Sequence, residues 1–290
     1  MSSSPTSRPA FLAFLAVCLL WGTTYLAIRI GLESIPPMLL GGFRWTVAGG
    51  AILAVMTLRR DTVPGPADWP MLALMGVLLI GFGNGGVVWA EQTLPSGLTA
   101  VLVAVVPFWM IGVERVAGSH EPLGWRRLAG LVIGFGGIVL LVWPELEVGD
   151  GAGPGVVATQ LACLGWAIGS TFSKRRRPSE NVLATAAYQM LFGGLAMFAA
   201  GTLTGEWPAL AFTARTGSAL AYLVVFGSLA GYSAYVYALK HLPLATVSLY
   251  AYVNPVIAMV LGTLVLDEPM SLRVAVAGVI VLAGMALVRK

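Results

Sequence analysis

The sequence predicts an all-α membrane protein of ten transmembrane helices, built as two five-helix repeats that lie inverted relative to each other. Three observations predict this: too little charge for a water-facing surface, ten apolar runs of spanning length, and an ordered set of Trp, Gly and Pro positions that recurs in the second half. Of the 290 residues, 58% are hydrophobic and only 10% are charged, whereas soluble domains carry roughly 25% charged residues. Lipid is the solvent in which that composition is stable. The 36 glycines suit helices whose backbones approach closely in a bilayer.

A spanning helix needs about 20 largely apolar residues. Such runs occupy 11–31, 36–58, 70–91, 95–117, 124–143, 154–173, 182–204, 217–239, 243–266 and 271–289. Proline or glycine punctuates most of the short connections, as at Pro36-Pro37, Pro64-Gly65-Pro66, Pro95, Pro144, Pro178 and Pro243. None is long enough to hold a soluble domain. The N-terminal run reads as a first span rather than a cleaved signal: Arg8 is its sole preceding basic residue and no small-x-small site follows it.

Ten spans put both termini on one side. If that side is the cytoplasm, 13 of the 17 basic residues lie inside, with Lys174-Arg175-Arg176-Arg177 the strongest anchor. Outside remain Arg29, Arg215 and Arg273, and Arg44 falls within a span. The positive-inside rule therefore orients the chain with cytoplasmic termini. The net charge of +4 is read as this topology signal, not as a nucleic-acid surface, since no basic, aromatic-laced domain exists. Cys18 and Cys163 lie in apolar runs, without a disulfide framework or metal-ligand spacing, and nothing calls for a cofactor.

The halves, 1–148 and 149–290, align in order. Cys18-Leu-Leu-Trp21 matches Cys163-Leu-Gly-Trp166 at an offset of 145, and Gly50, or alternatively Gly49, matches Gly194. Gly83 pairs with Gly231, Leu94-Pro95 with Leu242-Pro243 and Pro107 with Pro255, each at an offset of 148. Glu121-Pro122 answers Glu268-Pro269, and Gly130 answers Gly278. Because each half holds an odd number of spans, the second half is upside down. Many secondary transporters share this construction, with a midplane site between repeats that exchange conformations.

The span count, Trp21-Gly22, Arg44, the Leu-Pro openings of spans four and nine, Pro107, Asn254-Pro255 and the Glu-Pro pairs resemble the drug/metabolite transporter superfamily, EamA type, over essentially the whole chain. The resemblance implies a bacterial inner-membrane protein whose substrate is a small molecule, and efflux of amino acids or other metabolites from the cytoplasm. It leaves exporters or permeases for nucleosides, sugars and drugs as alternatives. One departure is that Val106 stands in the first half where the second has Asn254.

Polar groups within a bilayer are costly and face the bundle interior or a cavity. Arg44 lies about eight residues, roughly 12 Å at 1.5 Å per residue, from the outer end of span two. Two readings compete for it: a structural partner to an acid or to backbone carbonyls, or a contact to a substrate carboxylate. Glu91 is the nearest plausible acid and the best candidate proton carrier, against a plain acid at the outer mouth. Asn84, Val88 and Glu91 share one face of span three, and Tyr250 and Asn254 one face of span nine. Trp21, Trp89, Trp166, Tyr232 and Tyr250 are candidates to line a cavity for an amphipathic solute, the alternative for each being packing. Trp69, Trp143 and Trp207, near span ends, read as interfacial anchors.

Pro107 and Pro255 are expected to permit paired bends that open and close each half. Glu121 and Glu268 are expected to start spans five and ten, since an acid is favourable at a helix N-terminus. An intramembrane enzyme is the weaker rival: there is no His-Glu-x-x-His, no Gly-x-Ser-x-Gly, and the two histidines, His120 and His241, fall in loops. A channel would need a polar stripe that the spans lack. Gly81-x-x-x-Gly85, Gly130-x-x-x-Gly134 and Gly227-x-x-x-Gly231 suit contacts within a monomer at least as well as between copies.

Overall fold

The computed structural model describes residues 8–118, most of 124–140, 152–175, 181–268 and 272–289. All regular structure among the described residues is helical. The helices are α1 (Arg8–Gly31), α2 (Pro37–Leu58), α3 (Trp69–Ala90), α4 (Ser96–Val116), α5 (within 124–140), α6 (Ala152–Arg175), α7 (Val182–Leu203), α8 (Ala214–His241), α9 (Leu244–Leu266, interrupted at Ser248-Leu249) and α10 (Leu272–Arg289). Among the described residues seven of these, α1–α4 and α6–α8, are long and apolar enough to cross a membrane. Shorter apolar helical stretches lie at Val253–Leu266 and Ala275–Gly284.

Lipid inverts the usual placement of polar groups. Outward positions are apolar, as with Leu12, Leu15 and Leu19 on α1, Val256, Val260 and Leu264 on α9, and Val276 and Val279 on α10. Arg44, Glu91, Gln189, Ser228 and Asn254 are instead buried.

Small residues set the closest crossings. The broadest helix pair is α2 with α7. A Cβ on Gly49 would lie 2.6 Å from the Ala187 carbonyl oxygen, and one on Gly194 would lie 2.5 Å from the Thr46 nitrogen. Gly50 faces open space, so of the two only Gly49 packs against α7 as Gly194 packs against α2. A Cβ on Gly284 would sit 2.6 Å from the Gly130 oxygen and 2.5 Å from the Gly134 nitrogen. Gly81 and Gly85 meet Ala196 and Met197 of α7, and Gly227 and Gly231 meet Arg44 and Trp21. Each of the three small-xxx-small pairs is thus occupied by a helix of the same chain.

Two helix ends share one device. At the end of α7, Gly205 takes φ +72° and the Glu206 nitrogen donates to the Gly201 oxygen at 2.9 Å. At the end of α9, Asp267 takes φ 52° and the Glu268 nitrogen donates to the Gly262 oxygen at 3.2 Å. Such left-handed caps turn the chain back over its own helix and aim the following carboxylate at a neighbour. Glu206 accepts from the nitrogens of Met38 and Leu39 (3.3 and 2.9 Å), at the start of α2. Glu268 accepts from the Ser96 nitrogen (3.0 Å), the Ser96 hydroxyl (2.8 Å) and the Gly97 nitrogen (3.4 Å), at the start of α4. Residues 269–271, between Glu268 and α10, lie outside the described residues; the Glu268 carboxylate itself satisfies orphan N–H groups of α4. Glu121 lies outside the described residues.

Basic side chains close other ends. Arg29, in the last turn of α1, donates to the carbonyls of Glu91 and Gln92, at the end of α3. Lys174, in the last turn of α6, donates to the carbonyls of Leu239 (2.6 Å) and Leu242 (2.7 Å), at the end of α8. Arg29 and Lys174 stand 145 residues apart and each follows its tryptophan by eight. Lys174 is therefore a helix cap as well as part of the basic run.

Candidate substrate cavity

A central cavity of about 60 Å³ lies among α1, α2, α3, α4, α6 and α9. On α1 the spacing of Trp21, Thr24, Tyr25 and Ile28 places four side chains on the face that lines it. Arg44 and Trp45 enter from α2, Asn84 from α3 and Val103 and Val106 from α4. Cys163 and Trp166 come from α6, and Tyr250 and Asn254 from α9.

The aromatic wall is internally braced. The Trp21 ring lies 5.4 Å from that of Trp166, 5.0 Å from Tyr235 and 5.1 Å from Tyr250. Trp21 Nε1 donates to the Gly227 carbonyl at 3.1 Å, and Trp166 Nε1 donates to the Tyr235 hydroxyl at 3.1 Å. Ser170 and Tyr235 share a hydroxyl hydrogen bond of 2.7 Å. Trp45 Nε1 donates to Asn84 Oδ1 at 2.8 Å, which fixes both side chains against the cavity.

Two wide π-type turns make room for the tryptophans. One covers Val77–Asn84 in α3 and the other Leu223–Tyr232 in α8; such turns concentrate at functional sites. Trp166 sits on Gly83 in the first, where a Cβ would lie 2.9 Å from its ring, and Trp21 sits on Gly231 in the second, at 2.7 Å. Each tryptophan thus rests on a glycine of the other half of the chain, at matching positions.

Arg44 is 2% exposed. Its Nε donates to Ser228 Oγ at 2.8 Å, and its Cζ lies 4.3 Å from the centre of the Trp45 ring. Its Nη1 has no hydrogen-bond partner among the described residues. Asn254 fits with its amide nitrogen donating to the carbonyls of Tyr250 (3.1 Å) and Cys18 (3.0 Å), tying α9 to α1.

Of the candidate residues, the fold gathers Trp21, Arg44, Asn84, Trp166, Tyr250 and Asn254 around this cavity. Three candidates fall elsewhere. Trp89 is 39% exposed and lines a separate lateral groove of about 400 Å³ with Phe82, Leu161 and Ala196. Five residues beyond Asn84, at 100° per residue, it points some 140° away. Tyr232 is fully buried behind Trp45 and donates to Gln189 Oε1 at 2.9 Å. Glu91 is fully buried with neither carboxylate oxygen hydrogen-bonded, and it is not part of the cavity wall. Thr24, Tyr25 and Trp45 were not among the candidates. The α1 periodicity carries the signal for the first two, and Trp45 is betrayed only by its place next to Arg44.

The hinge prolines sit differently. α4 is interrupted at Ala104-Val105, so Pro107 falls in the first turn of the segment Val106–Val116. Pro255 lies inside the continuous helix Tyr250–Leu266. Trp69 and Trp207 are 42% and 45% exposed, as interfacial residues would be; Trp143 lies outside the described residues.

The chain matches the EamA-like transporter family over residues 8–143 and 153–290. It is 36% identical over 281 residues to the inner membrane transporter YedA of Escherichia coli, covering 95% of this chain and 89% of that protein. It is 22% identical to the transporter YoaV of Bacillus subtilis, covering 94% of each. It is 26% identical to protein PecM of Dickeya dadantii, covering 96% and 91%. A crystal structure with 20% sequence identity superposes with a TM-score of 0.72 over 98% of both chains, a likeness of fold. The chain belongs to the EamA-like transporter family and is a membrane transporter, not an enzyme.

Proposed function

We propose that the chain is a secondary transporter that exports small organic metabolites, amino acids foremost, from the bacterial cytoplasm across the inner membrane. It does so by alternating access of two inverted five-helix repeats, with both termini cytoplasmic. The observation that carries the reading is the reciprocal seating of Trp21 on Gly231 and Trp166 on Gly83 beside one cavity. A two-fold relation between inverted halves requires such an exchange.

Further support comes from the packing. α1 contacts α8 and α9 as α6 contacts α3 and α4, and α2–α7 and α4–α9 are the pairs that would lie on the two-fold axis. The paired caps by Arg29 and Lys174 obey the same relation, as do the two segments matched by the family model. Contacts between loop ends support the sides assigned by the alternation of ten spans. Glu33 pairs with Arg215 at 3.0 Å, and Glu206 and Glu268 reach the starts of α2 and α4, all at ends assigned to the outside. Asn181 Nδ2 donates to the Thr62 carbonyl at 3.0 Å, joining ends assigned to the inside.

With room for only a few waters at about 60 Å³, the cavity admits an organic solute only when its helices separate. The test is purified protein in liposomes, assayed for uptake of labelled amino acids with and without a pH gradient. Saturable uptake is the expected result. Saturable transport of none of them would exclude amino acids and turn the search to nucleosides, sugars and drugs.

A further inference from the structure

We infer that Arg44 is the recognition point for a carboxylate on the transported solute, and that the aromatic wall beside it takes the solute's apolar body. The inference rests on the transporter reading of the central cavity and narrows the class of cargo.

Burying a guanidinium is expensive unless an anion or several acceptors compensate it. At Arg44 the compensation is incomplete. One hydroxyl, from Ser228, meets Nε, and one ring, that of Trp45, lies under the guanidinium. Nη1 is buried and unpartnered, and no described carboxylate approaches within the 4.0 Å of an ion pair. Glu91, the acid that the sequence offered as a partner, acts on Arg44 electrostatically but forms no ion pair or hydrogen bond with it. Among the described residues, the cavity wall contains Arg44 and no Asp or Glu. A solute anion entering the cavity supplies the close counter-charge that Glu91 does not, and guanidinium–carboxylate pairing is strong and directional.

The rest of the wall defines the body of the solute. Trp21, Trp166 and Tyr250 meet at edge-to-face angles, an arrangement that accepts a further ring or an aliphatic chain. Because no acid among the described residues faces the cavity, a solute ammonium group finds no counter-ion from them there. Recognition therefore depends on the carboxylate and is indifferent to an adjacent amine.

The test uses the full chain in detergent and equilibrium binding of labelled phenylacetate, with phenylalanine, phenylacetamide and phenethylamine as competitors. The acid and the amino acid are expected to compete at least about ten-fold better than the amide and the amine, in line with a hydrogen bond to a charged group. Arg44→Gln should abolish the acid preference, and Arg44→Lys, which keeps the charge, should retain part of it. Equal competition by acid and amide overturns the inference, as does an unchanged preference in Arg44→Gln or no binding of phenylacetate. Counterflow of phenylalanine in liposomes is scored separately. Acid-selective binding without any transport would sink the exporter reading and leave the role of Arg44 standing.

Discussion

Gly49 and Gly50 are adjacent on α2 and meet opposite fates. The first sits against the α7 backbone, and the second faces nothing within 4 Å. Gly49→Ala must push apart two backbones, and a loss of about 1–3 kcal/mol is expected for overpacking of this kind, read as a lowered melting temperature of the purified protein. Gly50→Ala should be neutral or slightly stabilising, because alanine is the better helix former. Equal melting temperatures for the two variants would contradict the packing described. Spacing alone left the choice between these glycines open, since both fit the repeat; only the three-dimensional crossing selects one. The same limit explains the uneven site prediction. Trp21, Trp166, Tyr250 and Asn254 were legible because mid-span polar and aromatic residues must face inward. Trp89 and Tyr232 satisfied the same rule yet line a side groove and a buried layer, because helix rotation is set by packing that a single sequence does not display.

At the level of elements, the π-type turns of α3 and α8 and the interruptions of α4 and α9 are the places where the helices deviate from regular geometry. None was read from the sequence, where glycine and proline mark such sites without saying which deviation results. Pro107 lies in a first turn, where its missing N–H leaves nothing unsatisfied, whereas Pro255 removes a hydrogen bond inside a helix. Pro255→Ala is therefore expected to slow transport several-fold at unchanged expression, with a smaller effect from Pro107→Ala. Unchanged rates in both well-folded variants would remove the hinge proposal. Glu268 joins the end of α9 to the start of α4 through three hydrogen bonds, a contact that opening on that side has to break. Glu268→Gln weakens its charge-assisted character, so a thiol within the cavity should react faster from the outside in this variant. A rate equal to that of the parent would show that the contact does not hold that side closed.

For the molecule as a whole, hydrophobicity sufficed to read an all-helical membrane chain, and charge asymmetry sufficed to propose its orientation. The register of Trp, Gly and Pro leads to the proposal of inverted halves, and Arg29 with Lys174 adds a pair at matching positions that charge counting alone reads as an outer charge and a topology anchor. In the proposed mechanism one cavity opens alternately to the two sides. Cys163 is a native probe, since its side chain lines the cavity and is 1% exposed. With Cys18→Ala leaving it as the sole cysteine, a membrane-impermeant thiosulfonate can be applied to right-side-out and to inside-out vesicles. Alternating access predicts modification from both sides, at rates that shift in opposite directions when Glu268→Gln is introduced. Modification from one side only, with protein of either orientation intact, would contradict it.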